Sequence, residues 1–261
     1  MQKRQFLSLL VAGATAISVP FSVAVAAPKK RVLNVGMDAA YPPFGVRETE
    51  TGAFVGYDVD IIRAIGAAEG FDVRILNLPF DGLIPALKAG NIDVAINDIT
   101  ITEERAKSVD FSNRYYIAGL GVVVEKGNTS IRTPEDLEGK RIAVTIGSTG
   151  EEAVRGMKNV KIRVFNQLNE CFLELKNGGV DAVVNDIPTN DYYANDAGRD
   201  HCVSLPIALT AEDLGIAIRK GNPEVVKAMN SGLAKIKQSG EFSKIYQKWF
   251  GKEPPAALLK D

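Results

Sequence analysis

The sequence predicts an α/β protein built as two lobes, on three observations. From Val32 onward, short apolar strands alternate with amphipathic helices, the pattern of a mostly parallel sheet with helices on its faces. A helix–Gly–strand–Asn-Asp unit occurs twice: residues 87–100 read LKAGNIDVAINDIT and residues 175–188 read LKNGGVDAVVNDIP, identical at seven of fourteen positions at an offset of 88. That spacing is too long for a solenoid and suggests one such unit per lobe, the alternative being chance likeness between two ordinary αβ units. Finally, about 235 residues follow an N-terminal leader, enough for two lobes, each with its own core.

The leader is residues 1–26. Lys3 and Arg4 form a basic start, residues 6–25 are apolar and small, and Ala24-Val25-Ala26 offers a small-x-small cleavage site, so a secretory signal peptide is expected. No cysteine stands there to carry a lipid, which points to a soluble, exported product. Loss of the leader moves the net charge from −1 to −3.

In order, residues 32–37 form a strand that breaks into a loop (38–44) stiffened by Pro42 and Pro43. Gly56-Tyr57-Asp58 opens a helix with Ile61, Ile65 and Ala68 on one face. A second strand (73–78) ends at Pro79-Phe80, after which Asp81 is placed to cap a helix closed by Gly90. The third strand, Ile92, Val94 and Ile96, leads to Asn97 and Asp98. Thr102 has the side chain of a helix N-cap, Glu103 and Glu104 suit the first turn, and Arg105 follows one turn in. Residues 115–124, with two glycines, read as a crossing between lobes. Thr133-Pro134 is a further helix start. Strand 141–146 runs into Gly147-Ser148-Thr149-Gly150 and a helix from Glu151. The alternation repeats through strand 162–165, helix 168–175, strand 180–184 and a helix from Pro188. Strand 214–218 and a helix from Asn222-Pro223 follow, and the last helix carries Phe242, Ile245, Tyr246 and Trp249 on one face.

Composition removes several function classes. Charge is mixed and near neutral, with no basic stripe for a nucleic acid. One histidine, His201, argues against a His-based metal site or a catalytic triad and reads as a surface residue, and Trp249 reads as core. No cofactor or metal is called for. Of the two cysteines, Cys171 lies on the apolar stripe Leu168, Cys171, Phe172, Leu175, which favours a buried thiol over a bridge to Cys202.

Ligands of open α/β sheets sit beyond the carboxyl ends of strands, so Asp98 and Asp186 should face a common cleft. Asp38, Tyr41, Phe80, Thr100 and Arg105 stand at other strand ends of the first half, and Ser148 and Thr149 at a helix start of the second. Arg105 can hold a carboxylate by a two-pronged hydrogen bond, with the N–H groups of Ser148 and Thr149 as further donors. Asp186 can accept from an ammonium, and Tyr41 and Phe80 can wall the space between. The plainer readings are an Arg105 surface pair with Glu103 or Asp110, an ordinary GSTG loop, and two core aromatics. Without a following Lys, GSTG is no phosphate loop.

GYDVDI (56–61), ITITEER (99–105), VDFS (109–112) and YQKWFG (246–251) resemble the periplasmic solute-binding proteins of polar amino-acid ABC transporters, among them glutamine-, histidine- and lysine/arginine/ornithine-binding proteins. The likeness runs over nearly all of the mature chain with the motifs in order. It implies the type II periplasmic binding fold, a monomer whose lobe 1 is 30–116 with 213–255 and whose lobe 2 is 117–212, joined by crossing strands near 115–119 and 210–214. It implies a free L-amino acid as ligand and an inner-membrane permease as partner, in the periplasm. It puts the ligand carboxylate on Arg105, Thr100 and the Thr149 backbone, and its ammonium on Asp186 and groups around 98–100. Tyr41 and Phe80 would flank the ligand side chain and Asp38 would meet its distal polar group. Asn97-Asp98 stand where the family commonly has small residues, and Thr145 is neutral where glutamine binders carry Lys. Two carboxylates at the side-chain end favour a basic ligand. The rival class is an enzyme on the same scaffold, resembling cyclohexadienyl dehydratases, with Asp98 or Asp186 as a general acid.

Overall fold

The computed structural model describes residues 31–260, so the expected leader lies outside the described residues. Two five-stranded sheets are built to one plan. In the first, Arg31–Met37 lies between Phe71–Asn77 and Val94–Ala95, all parallel, and Ala217–Arg219 then Val109–Phe111 follow, each antiparallel to its neighbour. In the second, Arg141–Thr145 lies between Lys161–Phe165 and Ala182–Asp186, again parallel, and Leu120–Glu125 then Cys202–Leu205 are antiparallel additions. The parallel strands are linked by helices, and the antiparallel ones are where the chain enters and leaves each lobe.

The repeated motif has the same mechanical role in both sheets. Asp93 Oδ2 accepts from the backbone N–H of Asn34 (2.9 Å), and Asp181, 88 residues on, accepts from that of Arg141 (2.8 Å). Each aspartate ties its strand to the neighbouring parallel strand and so fixes register. The Asn-Asp pairs that follow arrive at the carboxyl ends of their sheets.

Each sheet has its own core. Val35, Met37, Ile61, Ile65, Met229 and Leu233 are among the buried side chains of the first, and Val122, Val124, Ile142, Val144 and Val184 of the second. Beside the crossing, Phe44, Tyr57, Tyr116, Tyr246 and Phe250 pack ring against ring at 4.9–6.0 Å for every pair that involves Phe250. Cys171 and Cys202 are free, buried thiols, and burial raises them to about 12 and about 11.

The lobes are joined by Tyr116–Ala118 and Glu212–Leu214, paired antiparallel with Glu212 opposite Ala118. Gly119 ends the first crossing, and a Cβ there would stand 2.3 Å from the carbonyl oxygen of Thr210 on the second. Only a residue without a side chain lets the two strands approach so closely. Gly119→Ala is therefore expected to cost about 1–3 kcal/mol, read as a lower midpoint in urea unfolding, because backbone rather than a flexible side chain must move.

Five local expectations change. Asp81 caps no helix: Gly82 N–H bonds Pro79 O (2.9 Å), which closes a 3₁₀ turn, Phe80–Gly82, ahead of the helix Leu83–Ala89, whose cap position is Gly82. Thr133-Pro134 starts a 3₁₀ turn, Pro134–Leu137, and no longer helix, although Asp136 Oδ2 accepts from Thr133 N–H as a capping box requires. The strand expected at 214–218 is two strands, because the chain changes partner at Gly215, whose N–H bonds Ile99 O (3.0 Å). Trp249 is only partly buried, since its Nε1 reaches out to donate to Asp60 Oδ2 (2.7 Å). His201 is half-buried, its Nε2 3.1 Å from Tyr193 Oη.

Candidate functional site

The carboxyl ends of the parallel strands of both sheets converge on one space. All nine candidate residues, Asp38, Tyr41, Phe80, Asp98, Thr100, Arg105, Ser148, Thr149 and Asp186, line it. Ala40, Asn97, Thr145, Leu168 and Asn185 complete the lining; the resemblance had pointed to Asn97 and Thr145, and sequence reading missed Ala40, Leu168 and Asn185. Both asparagines belong to the repeated motif, which was the available signal.

Arg105 is placed by its own helix. Thr102 Oγ1 accepts from the Arg105 N–H (3.2 Å), the cap that starts Glu103–Ser108. The guanidinium then reaches back over the strand ends, donating to Thr100 O (3.0 Å) and, across the gap, to Gly147 O (3.1 Å), and lies 5.5 Å from the Phe80 ring centre. These bonds replace the surface pair with Glu103 or Asp110. Phe80 thus carries the arginine as well as walling the cavity.

Asp98 is held in a left-handed conformation (φ 52°) with its N–H bonded to Asp58 Oδ2 (2.9 Å). Asp58 is fully buried, and burial raises its carboxyl to about 7. Both carboxylate oxygens of Asp98 are buried without a hydrogen-bond partner. Burial pushes Asp98 well above the usual carboxylate range, and the neighbouring acids, Asp186 first, push it further. Asp186 is raised to about 7 by burial and then by Glu212; its Oδ2 accepts from Tyr41 Oη (2.9 Å), while Oδ1 is buried and unpartnered. Tyr41 Oη also lies 2.8 Å from Asn185 Oδ1, so its one proton serves either acceptor. Asp38 is raised by burial, and its Oδ1 accepts from Ala40 N–H (3.2 Å). Burial lowers Arg105, an effect the surrounding carboxylates oppose.

The helix Thr149–Arg155 opens at Ser148, whose Oγ accepts from Glu151 N–H (3.0 Å) and donates to Thr145 O (2.7 Å). Ser148 N–H is already bonded to Thr145 O (3.3 Å), so of the two backbone donors expected here Thr149 N–H is the one left for a ligand. The Thr100 and Thr149 hydroxyls both donate to Glu212, a residue that sequence reading did not single out. Unsatisfied buried groups of both kinds surround the space: the acceptors of Asp98 and Asp186, and the donors of Asn97 Nδ2 and Asn185 Nδ2. Such a lining suits a small polar molecule with charge of both signs.

A profile of the bacterial extracellular solute-binding proteins, family 3, matches residues 33–252. The chain belongs to that family. A probable histidine-binding protein of Neisseria gonorrhoeae is 37% identical over 238 residues, 89% of this chain and 88% of that protein. An ancestral arginine-binding protein solved with arginine superposes with a TM-score of 0.81 at 44% identity, covering 84% of this chain and 98% of that one. An ancestral amino acid-binding protein described as a precursor of cyclohexadienyl dehydratase superposes at 0.78 with 39% identity, covering 84% and 95%. For a family 3 solute-binding protein, an interlobe cavity with unsatisfied polar walls is a natural ligand chamber. Among the described residues, no helix is long and apolar enough to cross a membrane.

Proposed function

We propose that this chain is the periplasmic receptor of an ABC transporter, capturing a basic L-amino acid by hinge closure and delivering it, as a monomer, to an inner-membrane permease. The observation that carries the basic ligand is the charge of the cavity: Asp38, Asp98 and Asp186 face one guanidinium, and Asp98 has no partner for either oxygen. Buried carboxylates without partners are costly, and a ligand that brings two cationic groups offsets that cost. In this reading Arg105 and Thr149 N–H take the α-carboxylate and Asp186 the α-ammonium. Tyr41 and Phe80 enclose the side chain, and Asp38 with Asp98 meets its distal cation. The lobes, 30–116 with 213–255 and 117–212, turn about the two crossings, and contacts made only when they are shut draw the equilibrium towards closure.

Calorimetry with a panel of the common amino acids tests it. Binding of arginine, lysine or histidine in preference to neutral amino acids is expected. A panel in which only neutral amino acids bind overturns the basic ligand, and one in which nothing binds overturns the class. The raised carboxyl of Asp186 also suits a general acid, so incubation with prephenate and arogenate separates the receptor from a dehydratase. No aromatic product is expected from either: prephenate has no amine for Asp186, and arogenate, which keeps its amine, would set its ring carboxylate against Asp38 and Asp98.

A further inference from the structure

Glu212 lies on the second crossing strand, outside the ligand chamber, and is nearly fully buried at 8% exposure. Its carboxylate gathers three hydroxyls. Oε2 accepts from Thr100 Oγ1 (2.5 Å) on the first lobe and from Thr149 Oγ1 (3.0 Å) on the second, and Oε1 accepts from Thr210 Oγ1 (2.8 Å). Thr210 Oγ1 in turn accepts from Leu120 N–H (3.0 Å), the first residue beyond the other crossing. One side chain at the pivot is thus bonded to both lobes and, through Thr210, to both hinge segments.

We propose that Glu212 is the latch of the closed state; this rests on the receptor reading above. Opening the lobes carries Thr149 away from Thr100, so the three-way bond to Glu212 exists only when they are shut. A hydroxyl has one proton. With the protons of Thr100 and Thr149 committed to Glu212, neither hydroxyl can donate to the ligand carboxylate, and what Thr100 presents to the chamber is a lone pair. Glu212 also reinforces, through space, the negative potential at Asp98 and Asp186.

The test is a double-mutant cycle on Glu212→Gln and Thr149→Val, read by calorimetry and stopped-flow with L-arginine, L-lysine and L-histidine. Glu212→Gln is expected to weaken binding at least about tenfold, mostly through faster dissociation, because the latch acts after encounter. In the Thr149→Val background the same change should cost less than about threefold, since one arm of the latch is already gone. Any change in the thermal midpoint of the unliganded protein should be the same in both backgrounds, because the bonds of Glu212 to Thr100 and Thr210 do not depend on the Thr149 arm. Equal losses in both backgrounds, or a lowered unliganded midpoint with unchanged dissociation, overturn the latch and leave an ordinary structural glutamate. If the unmutated protein binds none of the three, the basic-receptor reading falls and the latch with it. If it binds but Glu212→Gln is silent, the latch alone falls.

Discussion

Replacing Arg105 by alanine is expected to weaken the binding of a basic amino acid by about 2–5 kcal/mol, roughly thirtyfold to several thousandfold in Kd. Arg105 is the one cation among the described residues lining the chamber. A ligand carboxylate enclosed near Asp186 without it would be buried, unpaired and repelled. The basic side chain of the ligand cannot stand in, because it lies at the other end of the molecule. Arg105→Lys should recover only part of the loss. The guanidinium bonds Thr100 O and Gly147 O and still has donors for a carboxylate, a spread of directions that one ammonium cannot cover. Calorimetry on the three proteins checks both statements, with Thr102→Ala as a milder companion. That change removes the cap that aims the helix and should cost about 1 kcal/mol of stability with a smaller loss of affinity. Unchanged affinity in Arg105→Ala would take the residue out of the site.

How much of this was legible in the sequence depended on whether the physics was local. Strands 31–37 and 141–145 and the helix Tyr57–Glu69 follow from periodicity, and the Thr102 cap from residue type at one position. The Asn-Asp repeat located both halves of the chamber because both units end at strand termini, where side chains are free to meet a ligand. Glu212 was invisible because two of its three hydroxyl partners, Thr100 and Thr149, come to it from 112 and 63 residues away. Asp58 was read as part of a helix start, while its work is to fix the backbone of Asp98, 40 residues on. The same limit explains the split strand at Gly215, where a change of partner set by distant backbone overrode local propensity; at Asp81 a local bond from Gly82 N–H to Pro79 O closed a turn where a cap was expected.

Acidification is expected to close the empty protein. In the shut, unliganded form Asp186 titrates at about 7, raised by burial and by Glu212, whereas a carboxyl open to water keeps a value near 3.8. Above pH 7 the carboxyl is ionised in both forms, and closing must bury a charge that no ligand compensates. Between about 7 and 3.8 the closed form binds a proton that the open form does not, so each pH unit downward favours closure by up to about tenfold for this group. Below 3.8 the carboxyl is protonated in both forms and the gain stops. Asp98 is raised in the same direction and adds to the effect. Small-angle scattering of the ligand-free protein from pH 8 to pH 5 should therefore show a falling radius of gyration. Asp186→Asn, which removes the charge at every pH, should be more compact at pH 8 and flatter across the range. The ammonium of a ligand stabilises the ionised carboxylates, so the liganded closed form releases the protons that the empty closed form takes up. Where acid has made the empty closed state the majority form, affinity for a basic amino acid must fall with it. A radius of gyration that does not change with pH would mean that the carboxylates of the chamber are not what holds the empty lobes apart.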